Sequence, residues 1–282
     1  RLRLLDPPYT EILMSSLLRY LRLFAAFGRF SLLSEMAFRA NYLLKITVEI
    51  LWIVLLLYFY RTIFAKTSVV ADWTEAEYLF FLGCYYALEG LMETLFLGNF
   101  SEFAELVRKG DLDLILLQPI DEQFIVSCRS FEWSTVPNVF MGAGLMAYGL
   151  TRMGWPVTAA QAAVFAVTFP CGLAMSYSFI LMLASTAVWM VRNQSLYELW
   201  WLFTSLMRYP REIFRGQLGD PVGKLFTFLI PVLLVSNVPA RTMAKALDPW
   251  LAAYMVAATA ALLAVSRWVF RRALRSYRSA SS

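Results

Sequence analysis

Histidine is missing from this chain of 282 residues, and charged side chains are scarce. Because histidine is the commonest general base and metal ligand at neutral pH, its absence removes the usual catalytic base and the usual zinc ligand. The three cysteines, Cys84, Cys128 and Cys171, lie far apart inside apolar runs, and no metal-ligand spacing is present. The sequence therefore argues against a metal centre and against histidine-based catalysis.

Long apolar runs take the place of charge. Hydrophobic residues make up 60% of the chain and charged residues 16%, against about 25% charged residues in ordinary soluble domains. Several runs exceed the roughly 18 residues that mark a membrane-spanning helix. The pattern predicts an all-α, polytopic membrane protein, with spans at residues 46–65, 76–100, 124–150, 157–190, 195–214 and 248–270.

Residues 15–45 form a different kind of segment ahead of the first span. Arg19, Arg22 and Arg29 fall on one helical face, and leucine and phenylalanine side chains cover the rest. A basic amphipathic helix of this kind lies in the membrane surface with its arginines toward anionic headgroups. We therefore expect an interfacial helix here.

The placement of lysine and arginine predicts the orientation. Positively charged segments stay in the cytoplasm, so both termini are expected inside and the number of crossings must be even. The stretch 101–123 then lies in the cytoplasm and the link 151–156 lies outside. The tail carries five arginines and no acid: Arg267, Arg271, Arg272, Arg275 and Arg278.

An even number of crossings leaves two alternatives near the C-terminus. If residues 195–214 and 222–243 both crossed the membrane, the basic tail would end outside. Arginines at the end of the first run favour a surface helix there. Pro231 and Pro239 favour a broken hairpin in the second run, one that enters and leaves on the same side. Charge alone favours the surface helix.

Residues 101–123, SEFAELVRKGDLDLILLQPIDEQ, form a short charged segment between two spans. Gly110 interrupts its helical pattern, Asp111 can cap the turn that follows, and Pro119 ends it. Its acids outnumber its bases. Because cytoplasmic loops are usually basic, an acidic loop favours a protein partner over lipid. The alternative is a connector that docks into nothing.

A resemblance to a known family rests on this segment. Its order resembles the cytoplasmic segment of type-two (ABC-2-type) ABC transporter permeases, and more narrowly a bacterial six-helix exporter family of largely uncharacterised substrate. The residues that carry it are Leu106-Val107-Arg108-Lys109-Gly110-Asp111-Leu112-Asp113, then Leu116, Leu117 and Pro119. Three other stretches are also similar to that family: residues 193–199 (NQSLYEL), Tyr209-Pro210 and Val238-Pro239-Ala240.

The resemblance implies a permease with six transmembrane helices, an N-terminal amphipathic interfacial helix and a cytoplasmic coupling helix that inserts into a cleft of an ATPase. It implies that residues 195–214 are the fifth span and that residues 215–247 form an extracytoplasmic re-entrant hairpin. Pro210, Pro231 and Pro239 would then lie at an outer gate.

The resemblance also implies partners. A second permease, identical or different, would complete the substrate path in the bacterial cytoplasmic (inner) membrane among membrane lipids, and no nucleic acid is expected. ATP and magnesium would belong to separate cytoplasmic ABC ATPase subunits, with no cofactor in this chain. The nearest approach to a phosphate-binding loop, residues 219–225, is one residue short between its glycines and lacks the hydroxyl that would reach magnesium.

Within the coupling segment, seven residues are expected to meet the ATPase. Leu106 and Leu112 are the expected buried anchors of that contact, and Asp111 or Asp113 is expected to face basic residues across it. The full set is Leu106, Arg108, Gly110, Asp111, Leu112, Asp113 and Leu116.

Ionisable residues inside the predicted spans form a second candidate site: Glu89, Glu93, Arg129 and Glu132. At 1.5 Å per residue, Glu93 and Arg129 lie about 10 Å and about 8 Å from the cytoplasmic ends of their spans, which allows an ion pair. Such a pair either fixes helix register or lines a substrate path or dimer seam. Without a nucleophile, a metal site or histidine, catalysis is disfavoured.

Two other function classes stay open. An ion-coupled secondary transporter would use Glu89 and Glu93 with a proton or sodium gradient, although the sequence shows no internal repeat of the kind such carriers contain. An integral membrane enzyme acting on lipids would need an interfacial polar cluster with a nucleophile, and the sequence offers none.

Overall fold

The computed structural model describes residues 9–154, 156–190, 195–214, 219–246 and 248–277. Its described part is helical apart from one short antiparallel ribbon, β1 (Val69–Val70) with β2 (Trp73–Thr74). The helices are α1 (Tyr9–Ala37), α2 (Arg39–Phe64), α3 (Glu75–Met92), α4 (Gly98–Lys109), α5 (Leu112–Leu116), α6 (Glu122–Cys128), α7 (Val136–Met153), α8 (Ala159–Ser185), α9 (Ser195–Met207), α10 (Gly219–Lys224), α11 (Val232–Ala244) and α12 (Pro249–Ser276).

Some predicted features lie partly outside the described residues. These are residues 193–194 of the NQSLYEL stretch, residue 155 of the external link, residues 215–218 and 247 of the re-entrant region, and Arg278 of the basic tail.

Several helices are long and apolar enough to cross a membrane. In the described ranges there are four: Arg39–Phe64, Glu75–Lys109, Ala159–Val188 and Pro249–Ser276. A fifth candidate is the pair Gly219–Leu229 and Val232–Ala244, which is bent by 88°. The prediction of a polytopic helical membrane protein is confirmed, and the count of six spans stays a prediction.

Two predicted spans are broken or short as helices. Residues 124–150 divide into α6 and α7, and Pro137 in the first turn of α7 starts the second piece, because proline lacks the N–H that a helix interior needs. Residues 195–214 contain α9, whose 13 residues cover about 20 Å, less than the roughly 30 Å of a hydrocarbon core. Helix α9 ends at Met207, three residues before Pro210, which agrees with the rule that the residue before a proline avoids the helical region.

The predicted interfacial segment also has a different boundary. The helix breaks at Phe38, whose φ of −108° and ψ of 57° are not helical, so residues 39–45 belong to the long helix α2. Helix α1 packs on the link after α6, where Ser31 Oγ accepts a hydrogen bond from the Phe131 backbone N–H at 3.0 Å, and its interfacial position stays a prediction. Phe24 and Phe131 meet edge to face at 4.7 Å.

The centre of the molecule is α3. Small residues let α7 approach it closely: a Cβ added to Gly83 would lie 2.6 Å from the Met146 backbone nitrogen, which real side chains do not tolerate. On another side α3 contacts α11, which in turn packs on α8. Helix α2 lies at the periphery: none of its most apolar stretch is buried, whereas 67% of the most apolar stretch of Glu75–Lys109 is buried.

Candidate functional site

The segment predicted to couple to an ATPase is an extension of the central helix. Helix α3 passes through one π-helical turn, Glu93–Leu97, directly into α4, so residues 75–109 form one continuous helix. Wide turns of this kind inside a helix are frequent at functional sites. The segment is therefore attached to the buried core of the chain by a rigid element.

Gly110 ends this helix as the sequence predicts. Its φ of +78° is left-handed, a conformation that glycine adopts without steric penalty. The Asp111 N–H donates to the Leu106 carbonyl at 3.0 Å and the Gly110 N–H to the Val107 carbonyl at 3.4 Å, which is the Schellman pattern of a helix C-terminus. The chain thereby reverses into the short helix α5.

The expected cap at Asp111 is wrong. Its side chain makes no capping hydrogen bond, because the residue is already in the helical region at φ −84° and ψ −2°. The cap in this part of the chain is Asp121, whose Oδ1 accepts from the Phe124 N–H at 3.1 Å and starts α6.

The expected anchors face inward. Leu112 is fully buried and Ile115 is 6% exposed in the core of this same chain, and Leu106 and Leu116 pack partly against that core. The reversal at Gly110 turns the apolar stripe of α5 back toward the protein. Leu112 is thus unavailable to a partner, which corrects the expectation that it enters an ATPase cleft.

Two other leucines point outward. Leu114 is 69% exposed and Leu117 is 82% exposed, and their spacing of three places both on the face of the α5 turn opposite Leu112. Sequence reasoning missed them as anchors because the run LDLILL has apolar residues on both faces. Asp111, Gln118 and Pro119 beside them are also exposed. We call Leu114 and Leu117 the exposed leucine pair.

The charges of α4 partly satisfy one another. Arg108 pairs with Glu105 at 2.6 Å, and Lys109 lies 3.8 Å from the same carboxylate. At the far end of the segment, Asp121 Oδ2 accepts from Arg267 of α12 at 3.2 Å, and its backbone N–H donates to Tyr20 of α1 at 3.2 Å. The segment is thus held to both ends of the described chain.

The end of α12 lies beside the same segment. Burial and the nearby carboxylates of Asp113 and Asp111 raise the pKa of Tyr277, which directly follows α12. Phe270 packs against Phe103 with ring centroids 5.9 Å apart. Asp111 and Asp113 therefore act electrostatically on this chain's own tail.

The predicted Glu93–Arg129 ion pair does not form in the described residues. Arg129 pairs with Glu102 instead, and Glu132 pairs with Lys45 at 2.8 Å. The depth argument assumed a straight third span, but Arg129 and Glu132 lie in the link between α6 and α7. That link moves both side chains toward α2 and α4.

Glu93 belongs to another polar cluster. Asn138 of α7 donates to Glu49 Oε2 at 3.1 Å and approaches Glu93 Oε2 at 3.4 Å. Glu89 in α3, one turn before Glu93, acts electrostatically on Glu49 and on Arg208. Sequence reasoning missed Glu49, although a carboxylate inside the predicted first span was signal enough.

A third polar group joins the ribbon to the region after α9. The Glu212 carboxylate accepts from the Trp73 indole N–H at 3.0 Å and pairs with Arg241 of α11. Lys245 pairs with Glu77 at 3.3 Å. Sequence reasoning did not find this group, because Trp73 and Glu212 are 139 residues apart and Glu77 and Lys245 are 168 residues apart.

The prolines predicted at an outer gate lie next to these charges. Pro210 follows α9, Pro231 lies at the 88° bend before α11, and Pro239 is inside α11. Asn237 ties the pieces together, since its Oδ1 accepts from the Arg211 N–H at 2.7 Å. A gating role for the prolines stays a prediction.

Comparison with known proteins now decides the family. A family model described as "ABC-2 family transporter protein" matches residues 50–281. The chain belongs to the ABC-2 transporter family. It is therefore the membrane permease component of an ABC transporter, and permeases of this family generally work with ABC ATPase subunits. No curated protein and no solved structure matches the chain.

The matched range includes most of the structural features described for this site. It begins inside α2 and covers the π-helical turn, the exposed leucine pair, Arg208 and the Glu212–Arg241 pair. Helix α1 and the beginning of α2, with Glu49, precede it. The resemblance seen in residues 101–123 is thus confirmed at the level of the family.

Proposed function

We propose that this permease is the membrane-spanning half of an ATP-driven exporter, with six spans and both termini in the cytoplasm of a bacterium. A second permease would complete the substrate path, and separate ATPase subunits would drive it. The observation that carries the proposal is the exposed leucine pair, presented on a one-turn helix at the end of a rigid 35-residue helix.

That geometry supports mechanical coupling. Two leucines with 69% and 82% of their surface exposed form the small apolar face that a cleft in another protein would cover. A push on α5 passes through the hydrogen-bonded reversal at Gly110 into α4. Because α4 continues α3 without interruption, the push reaches the Glu93 turn in the centre of the molecule.

The six-span arrangement treats α6 with α7 as the third span and α9 with residues 208–214 as the fifth. Helices α10 and α11 then form a re-entrant hairpin on the outer side. Every residue from 232 to 240 is buried, which suits a broken segment because irregular backbone at membrane depth must be covered by protein. The even count keeps the basic end of α12 in the cytoplasm.

A second candidate is ion-coupled transport. It is favoured by the three carboxylates Glu49, Glu89 and Glu93: Asn138 donates to Glu49 and Glu93, and Glu89 acts electrostatically on both. Transport driven by a proton or sodium gradient in vesicles without ATP would support it, whereas dependence on ATP would exclude it.

The coupling proposal is tested by Leu117→Asp, with Gln118→Asp as a matched control that adds the same charge on the neighbouring exposed residue. Anchors of an interface typically cost above about 2 kcal/mol when disrupted, about thirtyfold in affinity. Leu117→Asp should release the ATPase in co-purification and abolish transport-coupled hydrolysis, while Gln118→Asp retains both. Wild-type behaviour of Leu117→Asp would show that α5 is only a connector.

A further inference from the structure

A cavity of about 490 Å³ opens beside α2, between that helix, α3 and the segment after α9. Its size is within the range of about 300–1,000 Å³ that small-molecule sites occupy. The wall that α2 contributes is aromatic and aliphatic, with Trp52 51% exposed and Phe59 57% exposed. Three hydroxyl-bearing rings also line the cavity: Tyr60 from α2, Tyr78 from α3 and Tyr209 from the segment after α9.

One charged residue lines this cavity, and it is a cation. Of the eleven lining residues, none is aspartate or glutamate, and Arg208 is the sole arginine or lysine. A ligand in this cavity would therefore meet apolar surface, three phenol groups and one permanent positive charge.

Arg208 has incomplete partners. Its Nη2 donates to the Tyr85 hydroxyl at 3.3 Å, its guanidinium lies 5.4 Å from the centre of the Tyr85 ring, and its buried Nε has no hydrogen-bond partner. Among the described residues no carboxylate lies within 4.0 Å of it, although Glu89 acts on it from further away. A guanidinium has five N–H donors; the Nε–H is buried and one Nη2–H meets Tyr85, so the remaining Nη donors are left for a ligand.

The depth of Arg208 makes this arrangement costly. Tyr85 is ten residues into α3, which places the guanidinium about 15 Å along that helix from Glu75. A cation at such a depth in a membrane is expensive unless an opposite charge accompanies it, and such residues commonly mark a ligand path. The lining of the cavity contains no carboxylate, and Glu89 acts on Arg208 only from beyond ion-pair distance, so an anionic group is what a ligand would add beside the guanidinium.

We propose that this cavity binds an amphiphile with a single anionic head, such as a phosphate, whose oxygens accept hydrogen bonds from Arg208 while its apolar body lies along Trp52 and Phe59. The inference rests on the proposed export function and names a substrate class for it. A cationic head would meet Arg208 with no acid in the lining, and a neutral head would leave the guanidinium with Glu89, beyond ion-pair distance, as its nearest named carboxylate.

The test uses the full-length permease without its ATPase, in nanodiscs of zwitterionic lipid. Binding is measured by titration calorimetry for three amphiphiles with the same dodecyl chain: dodecyl phosphate, dodecyl maltoside and dodecyltrimethylammonium. Inorganic phosphate is titrated as a fourth probe. Dodecyl phosphate should bind most tightly, and inorganic phosphate much more weakly, because it lacks the apolar body.

Variants locate the site. Arg208→Gln should weaken dodecyl phosphate binding by about tenfold, since a charge-assisted hydrogen bond is about twice as strong as a neutral one, and should leave dodecyl maltoside unchanged. Arg208→Lys should retain most of the preference for the anionic head. Arg211→Gln removes an arginine three residues away that does not line the cavity, and all affinities should stay at the wild-type value.

Three results would overturn the proposal: equal binding of all three heads by the wild type, dodecyl phosphate bound by Arg208→Gln as by wild type, or inorganic phosphate bound as tightly as dodecyl phosphate. If Arg208→Gln does not fold, the comparison of heads on the wild type still decides. Because no ATPase is present, failure of the coupling experiment with Leu117→Asp leaves this readout unaffected.

Discussion

Glu212 and Arg241 form an ion pair in which the Glu212 side chain is only 3% exposed. The same carboxylate accepts a hydrogen bond from the Trp73 indole, so one buried acid joins the ribbon before α3 to α11. The two residues come from segments on either side of the 88° bend. The pair thereby fastens the bent region to the ribbon that precedes the central helix.

Removing one member of this pair should be worse than removing both. Glu212→Gln or Arg241→Met leaves a buried group without its partner and should lower the free energy of unfolding by about 3–5 kcal/mol. The double variant should recover part of that loss, as measured by thermal unfolding in detergent. The exposed pair Glu105–Arg108 is the control, where the loss should be much smaller because solvent screens an exposed ion pair. A double variant no more stable than either single variant would contradict the pairing.

Leu112 and Leu117 should respond in opposite ways to truncation. Leu112→Ala removes a fully buried side chain and should lower the stability of the permease by about 2–5 kcal/mol. Leu117→Ala, at a side chain that is 82% exposed, should stay within about 0.5 kcal/mol of wild type. Thermal unfolding of the permease without its ATPase separates the two. A stable Leu112→Ala protein would restore Leu112 as a candidate anchor.

Gly110 and Gly98 form a matched pair on helix α4. Gly110→Ala places a side chain at φ +78° and should destabilise the helix end by about 1–2 kcal/mol. Gly98 lies in the helix, and a Cβ added there would meet nothing within 4 Å. Gly98→Ala should therefore raise the free energy of unfolding by about 0.5–1 kcal/mol. The unfolding temperature should therefore fall for Gly110→Ala and rise for Gly98→Ala. Equal shifts for the two variants would show that the chain reversal does not require glycine at position 110.

Arg129 should be coupled to Glu102 and not to Glu93. In a double-mutant cycle with Arg129→Met, the interaction energy with Glu102→Gln should be of the order of 0.5–3 kcal/mol, as for side chains in contact. The cycle with Glu93→Gln should give a value near zero. Unfolding midpoints of the single and double variants provide both interaction energies. A larger interaction energy with Glu93 than with Glu102 would support the Glu93–Arg129 pair predicted from the sequence.

Composition and local sequence patterns were sufficient to assign the class of the protein. Its apolar runs are longer than a soluble core needs, so membrane-spanning helices were readable from composition and length, and the order of residues 106–119 pointed to the family. The helix end at Gly110 was also readable, because a glycine between two helical patterns is a local signal.

The tertiary structure alone decided which side chains of those helices are available. Residues 112–117 are almost all apolar, so periodicity could not tell the buried face with Leu112 from the exposed face with Leu117. The predicted Glu93–Arg129 pair rested on equal depths counted along two straight helices. Because residues 129–135 form a link between α6 and α7, the depth of Arg129 does not follow from such a count. The lone cation at Arg208 and the Glu212–Arg241 pair depend on packing between distant segments, and no local pattern in the sequence encodes that packing.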